Sequence, residues 1–290
     1  IYIFVNNASC NCKRHSFNLK IKLLILSEKN NALMETIIRE KPVVDVILPN
    51  YNKDAFLEEA INSVLKQTYK RWHLFIIDDH SSDSSLDIIE KLKNLKNLTI
   101  IKLKKNKGPS FCRNYGMRLS KAKYISFIDS DDSWSADKLE KQINFIDKNN
   151  LNFTYTDYTS FFEKNGKKKN KKNTLIKDHF DFKSFIKNSS INTTTMIISR
   201  SILGSNRFKK IKLCEDYLFK CNLLKKNVAK KLNENLAYYR ITKESRSSKK
   251  LKNLYWLWHI NKNYNKFNFF KNLVSVIFIS INSIKKYGLK

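Results

Sequence analysis

Short apolar runs alternate with amphipathic stretches through the first half of the chain. Residues 43–48 are rich in β-branched side chains and predict a strand, which residues 49–52 interrupt as a loop. Residues 55–67 then carry apolar side chains at helical spacing, and Asp54 is suited to be the N-cap of that helix. From residue 43 the pattern therefore predicts a strand, a loop and a helix.

The same alternation continues downstream. Further strands are predicted over residues 74–77, 98–103 and 124–128, with helices over residues 82–93 and 108–119 between them. Strands and helices that alternate at this pitch predict parallel βαβ units, with helices on both faces of a central sheet. The first half is therefore expected to be a Rossmann-like α/β domain.

The second half has a less regular pattern. Strands are predicted over residues 153–158, 193–198 and 236–240, and a helix with acidic residues in its first turn over residues 215–225. Residues 164–173 contain six lysines and one glycine, and are predicted to form an exposed loop at a hairpin tip. This half is expected to add mixed strands to the parallel sheet.

Three regions follow from these patterns. Residues 1–40 form a poorly defined N-terminal extension, residues 41–245 an α/β domain, and residues 246–290 a basic, aromatic helical tail. Residues 1–5 are apolar but lack the basic start and the cleavage site of a signal peptide, and no run of 18 apolar residues occurs. We expect little function in the extension.

Polar side chains follow the ends of three predicted strands: Asn50 with Tyr51, Asp78 with Asp79, and Asp129 with Asp131 and Asp132. Ligands of open α/β sheets bind beyond the carboxyl ends of the strands. We therefore expect these groups to meet at one edge of the sheet and to form a single site.

The acidic cluster Asp129, Asp131 and Asp132 places three carboxylates within four residues. Such groups raise one another's pKa unless a cation is present, and a hard divalent ion such as Mg²⁺ or Mn²⁺ would relieve the repulsion while bridging to substrate phosphates. The alternative is an acidic turn before the next helix. With five glycines and no glycine-rich phosphate loop in the sequence, a metal is expected to carry a diphosphate.

Charge and cysteine content narrow the class of protein. The 56 basic against 26 acidic residues give a formal net charge of +30, which is typical of nucleic-acid binding, anionic membranes or acidic substrates, or else of a coding bias toward lysine. Five scattered cysteines favour a reducing, cytoplasmic compartment, and Cys10 with Cys12 lacks a second pair at zinc spacing. Apolar residues interleaved with lysines between 251 and 281 suggest either association with an anionic membrane surface or packing on the domain.

Five motifs together resemble glycosyltransferase family 2, the inverting transferases of the GT-A fold. They are residues 44–52 (VDVILPNYN), 61–69 (INSVLKQTY), 75–83 (FIIDDHSSD), 106–114 (NKGPSFCRN) and 124–134 (YISFIDSDDSW). Residues 153–157 and 236–241 are similar to members that build capsules, O-antigens and teichuronic-acid-type polymers. The resemblance implies a catalytic domain over residues 41–245, with a mixed acceptor-side half.

The resemblance also implies roles on the donor side of the site. Pro49 and Tyr51 would line the nucleobase pocket, Asp79 would accept a hydrogen bond from the base, and Arg113 would lie near the donor. His80 stands where the family often has glycine, so we expect a differently shaped loop there.

Further roles concern the metal and the reaction. Asp129 would begin the DXD motif and Asp131 would end it, holding the metal and the donor with Asp132 beside them. Asp216 would be the general base, and Glu215 is the second candidate. The implied donor is a nucleotide-diphosphate sugar, with UDP-sugar expected, and the acceptor is a glycan or a lipid-linked glycan.

Two other functions share some of these features. A nucleotidyltransferase would have the same fold class and metal, but normally carries a Gly-rich, Arg-containing segment where this chain has residues 49–52. A non-catalytic nucleic-acid-binding protein would suit the charge but leaves the acidic cluster unexplained. We therefore expect an enzyme that does not bind nucleic acid, located in the cytoplasm or peripherally on the cytoplasmic face of the membrane.

Overall fold

The computed structural model describes residues 41–164, 167–170, 177–242 and 250–287. Predictions for residues 1–40, including the Cys10 and Cys12 pair, lie outside these ranges. From residue 43 onward the described residues belong to one compact unit. Among them, no helix combines the length and hydropathy that crossing a bilayer requires.

The first half is a parallel α/β unit, as predicted. Its strands are β1 (Val44–Asn50), β2 (Trp72–Asp78), β3 (Leu98–Lys102) and β4 (Tyr124–Phe127). Its helices are α1 (Asp54–Leu65), α2 (Ser85–Glu90) and α3 (Pro109–Leu119). The strands pair in parallel in the order β3-β2-β1-β4. Because β1 and β2 are in register to their last residues, Asn50 lies beside Asp78 at the carboxyl edge.

The second half extends this sheet with mixed strands. They are β5 (Ser133–Trp134), β6 (Phe153–Lys164), β7 (Lys167–Asn170), β8 (His179–Phe180), β9 (Ile197–Ser199) and β10 (Ala229–Arg240). Its helices are α4 (Lys138–Asn149), α5 (Phe182–Phe185), α6 (Arg200–Leu203), α7 (Glu215–Leu224), α8 (Lys250–Asn263) and α9 (Phe269–Tyr287). Within the described ranges the sheet has ten strands, and its order continues from β4 as β9-β6-β10-β5. The predicted mostly parallel sheet with a mixed second half is confirmed.

Strand β1 lies inside the sheet, between β2 and β4, and its burial matches this position. All seven of its residues are buried, and since successive side chains point to opposite faces, both faces of the sheet are covered there. Gly116 lets α3 pack closely on this strand, because a Cβ at that position would come within 2.7 Å of the Ile47 side chain. The buried Asp45 carboxylate accepts hydrogen bonds from Ser120 Oγ and from the backbone N–H groups of residues 121 and 122, at 2.6–2.9 Å.

Two helix starts differ from the predictions. Lys53, not Asp54, occupies the N-cap position of α1 and makes no side-chain capping bond, and Asp54 is the first helical residue. Its backbone N–H donates to Asp83 Oδ2 at 2.9 Å, and its Oδ2 accepts from Ser84 N at 3.3 Å. The predicted Asp54 cap is wrong because this carboxylate joins two loops. Asp83 also accepts from Ser85 N, and the second helix accordingly begins at Ser85.

Two segments of the second half also differ. The lysine-rich stretch, predicted as a loop, contains β7, whose backbone pairs antiparallel with β6. Residues 193–198, predicted as one strand, form a 3₁₀ turn over Thr193–Thr195 before β9. Asn192 Oδ1 accepts from Thr194 N at 3.1 Å, and this cap starts the turn. Local hydrogen bonding therefore overrode the residue pattern.

The two C-terminal helices pack against the α/β domain. Tyr217 Oη donates to Asn261 Oδ1 at 2.9 Å, and Ser275 Oγ donates to the carbonyl of Ile186 at 2.6 Å. Ile260 is fully buried. Packing on the domain, one of the two interpretations of the tail, is therefore present for one face of these helices.

An ammonium group lies in the core at the start of α4. Lys138 is fully buried, its Nζ donates to Gln142 Oε1 at 2.8 Å, and it lies 4.3 Å from the centroid of the Trp134 ring. Trp134 is itself buried and donates to the carbonyl of Thr194, so it belongs to the core. Burial lowers the pKa of Lys138 to about 7.

Lys138 should make stability depend on pH. Its pKa is lower in the folded than in the unfolded chain, so folding releases a proton between about pH 7 and pH 10, and this contribution to stability grows as pH rises through that window. From pH 6 to pH 9 the unfolding free energy of the wild type should rise relative to that of Lys138→Met by about 3 kcal/mol, because each pH unit between the folded and unfolded pKa values contributes about 1.4 kcal/mol. Urea denaturation at several pH values measures this difference. Lys148→Met, an exposed change on the same helix, is the control, and parallel pH profiles for wild type and Lys138→Met would contradict the assignment.

Candidate active site

A cavity of about 850 Å³ opens at the carboxyl edge of the parallel strands. Its size lies within the range of small-molecule sites. The predicted site residues that line it are Pro49, Tyr51, Asp79, Arg113, Asp129, Asp131, Glu215 and Asp216. Residues from distant parts of the chain therefore meet at one edge of the sheet, as the strand order predicts.

Asp79 fixes the loop that leads into α3. Each of its carboxylate oxygens accepts a backbone N–H at 2.7 Å, one from Lys107 and one from Gly108. Gly108 has φ 85°, a left-handed conformation that glycine adopts without steric cost. A carboxylate oxygen can accept more than one hydrogen bond, so Asp79 retains capacity for a ligand. The Tyr51 ring is 48% exposed at the cavity mouth.

The loop after Asp79 keeps a glycine-like backbone. His80 has φ 67°, in the left-handed region. Ser81 closes the turn by donating from its N–H and its Oγ to the Asp78 carboxylate, at 2.9 and 2.6 Å. Asn50 Nδ2 donates to the same carboxylate at 2.9 Å. The histidine thus occupies a backbone conformation that favours glycine.

Two carboxylates of the acidic cluster reach the cavity. Asp129 pairs with Arg113 at 2.6 Å, and Asp131 pairs with Lys53 Nζ at 3.0 Å. Burial and the neighbouring Asp129 raise the pKa of Asp131, and Lys53 partly offsets this rise. The expected mutual repulsion is therefore present, and two basic side chains balance the charge.

Asp132 lies beneath the cavity rather than at its wall. It is buried, and its Oδ1 accepts the backbone N–H of Arg240 at 3.1 Å. Burial, followed by Asp131 and Asp129, raises its pKa well above the ordinary value. The structure brings Asp129 and Asp131 together at the cavity but leaves Asp132 in contact with the backbone of β10.

Arg113 links the acidic cluster to α7. Its side chain is 7% exposed, and its guanidinium contacts Asp129 at 2.6 Å, Glu215 at 3.3 Å and the ring of Phe208 at 5.3 Å from the centroid. Burial alone would lower the pKa of Arg113, but Asp129 and Glu215 raise it. Arg113 is therefore a buried cation with two acidic partners.

The two acids at the start of α7 have different environments. The side chain of Glu215 is 5% exposed and is paired with Arg113, whereas that of Asp216 is 39% exposed. Cys214, the preceding residue, has φ 62°, a left-handed conformation that costs a residue with a Cβ about 1–2 kcal/mol. This strained turn brings one acid into the interior and leaves its neighbour open to the cavity.

Lys220 supports Asp216 from one turn along the helix. It is buried, and its Nζ donates to Asp216 Oδ2 at 2.8 Å and to the carbonyl of Ile191 at 2.7 Å. Thr193 Oγ1 also accepts from Lys220 Nζ, at 3.3 Å. The ammonium therefore joins the carboxylate to the loop before the 3₁₀ turn.

Sequence reasoning missed three basic residues of this site: Lys53, Lys220 and Arg240. Arg240 Nε donates to the carbonyl of Asp131 at 3.1 Å, and its guanidinium pairs with Glu59 at 2.6 Å and also with Glu163. The YYR sequence that ends β10 was part of the family resemblance, and the arginine in it was a usable signal. Nothing local marked Lys53 or Lys220 among so many lysines.

The far side of the cavity carries polar and aromatic groups. Its wall includes Tyr158, Tyr239, Asn188, Ser190 and Asn192 from the mixed half, and Asn253, Leu257, Ile279, Asn282 and Ser283 from α8 and α9. Hydroxyl, amide and aromatic groups suit a polar ligand with apolar faces, such as a sugar. The tail helices thus complete the wall of the cavity.

Comparisons with known proteins identify relatives of this chain by sequence. The chain is 31% identical over 248 residues to TuaG, a teichuronic acid biosynthesis glycosyltransferase of Bacillus subtilis, covering 85% of this chain and 98% of that protein. It is 32% identical over 225 residues to Escherichia coli WfgD, a UDP-Glc:alpha-D-GlcNAc-diphosphoundecaprenol beta-1,3-glucosyltransferase, covering 75% of this chain and 85% of that protein.

Solved structures show the same fold. S. aureus TarS in complex with UDP-GlcNAc matches with a TM-score of 0.64 and 20% identity, over 83% of this chain and 72% of that chain. The mannosyltransferase PcManGT from Pyrobaculum calidifontis, in complex with GDP-Man and Mn²⁺, matches with a TM-score of 0.60 and 13% identity, over 86% of this chain and 77% of that chain. The expected GT-A fold is confirmed.

A family model described as glycosyl transferase family 2 matches residues 45–212. This match supports a transferase over the nucleotidyltransferase and nucleic-acid-binding alternatives. The motifs, the cavity at the carboxyl edge and these matches have one explanation: the chain belongs to glycosyltransferase family 2.

Proposed function

We propose that this protein transfers a sugar from a UDP-sugar to a hydroxyl of a lipid-linked glycan, with inversion, in the biosynthesis of a cell-surface polysaccharide. The observation that carries the proposal is that Asp79, Asp131 and Asp216 line one and the same cavity. WfgD, whose name gives a UDP-sugar donor and a diphosphoundecaprenol-linked acceptor, supports this choice of substrates. Such a reaction takes place in the cytoplasm, at the surface of a membrane.

The donor would occupy the side of the cavity formed by β1 and β2. Pro49, Tyr51 and Asp79 line the cavity there. In this proposal Pro49 and Tyr51 would contact the uracil ring, and Asp79 would accept a hydrogen bond from its N–H group. TarS, which shares the fold, has been crystallised with UDP-GlcNAc. The diphosphate would then extend toward Asp131 and Lys53.

A divalent metal fits the carboxylates at this point. Within the described ranges no group of three or more His, Cys, Asp or Glu side chains has the arrangement of a metal site. Mg²⁺, however, is commonly held by one or two carboxylates together with substrate phosphates and water. Asp129 and Asp131 supply two carboxylates, and burial together with the neighbouring Asp129 raises the pKa of Asp131. A bound Mg²⁺ or Mn²⁺ would neutralise charge on the departing diphosphate.

Asp216 is the general base in this proposal. Its partly exposed carboxylate would accept the proton of the acceptor hydroxyl as that oxygen bonds to the anomeric carbon. The bond from the anomeric carbon to the diphosphate oxygen breaks in the same displacement, and UDP leaves from the opposite face. Glu215 is less suited, because its buried carboxylate already pairs with Arg113.

Substituting the two aspartates should separate donor binding from the reaction. Asp131→Asn should weaken UDP-sugar binding and abolish transfer, whereas Asp216→Asn should lower kcat by at least about 100-fold with little change in donor affinity. Isothermal titration with UDP and a UDP-release assay measure the two quantities. Asp178→Asn is the control, an exposed acid outside the cavity wall. Equal loss of UDP binding in both variants would refute these assignments.

Metal removal tests the carboxylate pair. Treatment with EDTA should abolish UDP release from the donor, and added Mn²⁺ or Mg²⁺ should restore it, because the diphosphate would lose its neutralising cation. In Asp131→Asn, added metal should not restore activity, because one of the two carboxylates of the pair is lost. Full activity of the chelated wild type would rule out the proposed metal dependence.

Lys220 should act on the rate through the position of Asp216. Lys220→Met should lower kcat by about 10- to 100-fold and leave the KM for the donor within about twofold, because the hydrogen bonds of Lys220 are to Asp216 and to the loop at Ile191 and not to the predicted donor-binding residues. Steady-state kinetics with a melting curve for each variant give the measurement. Lys225→Met removes an exposed lysine at the end of the same helix and should behave as wild type. A rise in donor KM with unchanged kcat would argue against this role.

A further inference from the structure

Helix α9 has its polar face toward the protein. Asn272 and Ser275 are 1% exposed, and each donates to a backbone carbonyl, of Trp258 at 3.0 Å and of Ile186 at 2.6 Å respectively. Asn282 Nδ2 likewise donates to the carbonyl of Lys187 at 3.0 Å. A surface helix of a globular domain normally buries its apolar side. Here three polar side chains face inward and form hydrogen bonds, beside the apolar contacts of Val276 and Ile279 with the core.

The apolar face of the same helix is exposed. Every member of this face is at least 39% exposed: Phe269, Phe270, Leu273, Val274, Ile277, Phe278, Ile281 and Ile284. Phe270 reaches 76%. These residues lie on one helix and form a contiguous strip, whereas isolated exposed apolar residues are ordinary on a protein surface. A strip of this kind marks a surface that is covered by a binding partner.

The charge around the strip is of one sign. Residues 250–290 contain eight lysines and no aspartate or glutamate. Of these, Lys266, Lys271 and Lys285 are exposed next to or within α9. Long lysine side chains can hold their ammonium groups at the level of lipid phosphates while their stems cover apolar surface. An apolar strip with a purely basic border complements an anionic membrane surface.

The strip adjoins the wall of the active-site cavity. Ile279 and Asn282 of α9, and Asn253 and Leu257 of α8, line that cavity. A ligand held at the membrane surface under α9 therefore needs to extend only past this helix to enter the site. The helix lies along the protein, because its inner face is occupied by the hydrogen bonds described above.

We propose that the outer face of α9 binds the surface of an anionic phospholipid bilayer and so presents the acceptor side of the cavity to lipid-linked substrates. The helix lies in the interface, with its phenylalanines and aliphatic residues among the acyl chains and its lysines at the phosphates. This inference rests on the proposed function only for the identity of the acceptor. Membrane binding itself follows from the strip and its charge.

Flotation of the full-length chain with vesicles tests this surface. The wild type should float with vesicles of 70% phosphatidylcholine and 30% phosphatidylglycerol, and should bind about tenfold less to phosphatidylcholine alone. Phe270→Asp with Ile277→Asp should reduce binding to the anionic vesicles by about tenfold or more. The matched control is Leu95→Asp with Val228→Asp, two exposed apolar residues away from α9 that should leave binding unchanged.

Metal-dependent UDP release from a nucleotide sugar, measured without vesicles, separates the two proposals. Unchanged release by Phe270→Asp with Ile277→Asp, together with lost flotation, supports the membrane surface. A wild type that releases UDP but does not float would overturn it and leave the proposed function intact. Binding to neutral vesicles as strong as to anionic ones would overturn the charge argument. A stable dimer that dissociates in the double variant and does not bind vesicles would assign the strip to a second copy of the chain.

Discussion

A buried guanidinium that serves two carboxylates holds the active-site edge of this protein together. Arg113 comes from α3, Asp129 from the end of β4 and Glu215 from the start of α7, and the three groups meet within 3.3 Å contacts. Removing one member of such a buried set leaves an uncompensated charge, which costs roughly 3–5 kcal/mol. Because Glu215 balances this cation, its neighbour Asp216 remains open to the cavity. The interaction therefore decides which of the two adjacent acids is buried and which is accessible from the cavity.

The same principle organises the rest of the cavity. Carboxylates from β2, β4 and α7 are each held by fixed donors: backbone N–H groups for Asp79, Lys53 for Asp131 and Lys220 for Asp216. Pre-oriented groups lose little freedom when a substrate arrives, and they need no rearrangement as charge develops. The basic residues of the cavity thus pair with the protein's own acids.

The parallel half and its polar edge could be predicted from the sequence because they depend on local patterns. Strand and helix periodicity predicted the order of elements, and the rule for ligands of parallel sheets then placed Asp79 and Asp131 at the same edge.

The other features of the site depend on contacts between residues that are distant in the sequence. The Asp54 carboxylate accepts a hydrogen bond from the Ser84 N–H instead of capping its own helix. Arg240 contacts Asp131, which is more than a hundred residues away in the sequence. Lys53 and Lys220 could not be singled out in a chain with 56 basic residues. Asp132 was predicted to share the site because it is adjacent to Asp131 in the sequence, yet it does not line the cavity.

The C-terminal helices show why a boundary drawn from composition is a poor guide to an active site. Their basic, aromatic sequence separates them from the α/β domain, yet Leu257 and Ile279 form part of the cavity wall and Asn261 contacts Tyr217 of α7. Helix α9 has two different sides: the side toward the domain holds Asn272, Ser275 and Asn282 together with Ile279, and the outer side is apolar. A soluble domain gains nothing from this arrangement, because eight large apolar side chains stay in water. It becomes favourable when the outer side is an apolar phase, and the cavity then opens where a lipid-linked acceptor would be held.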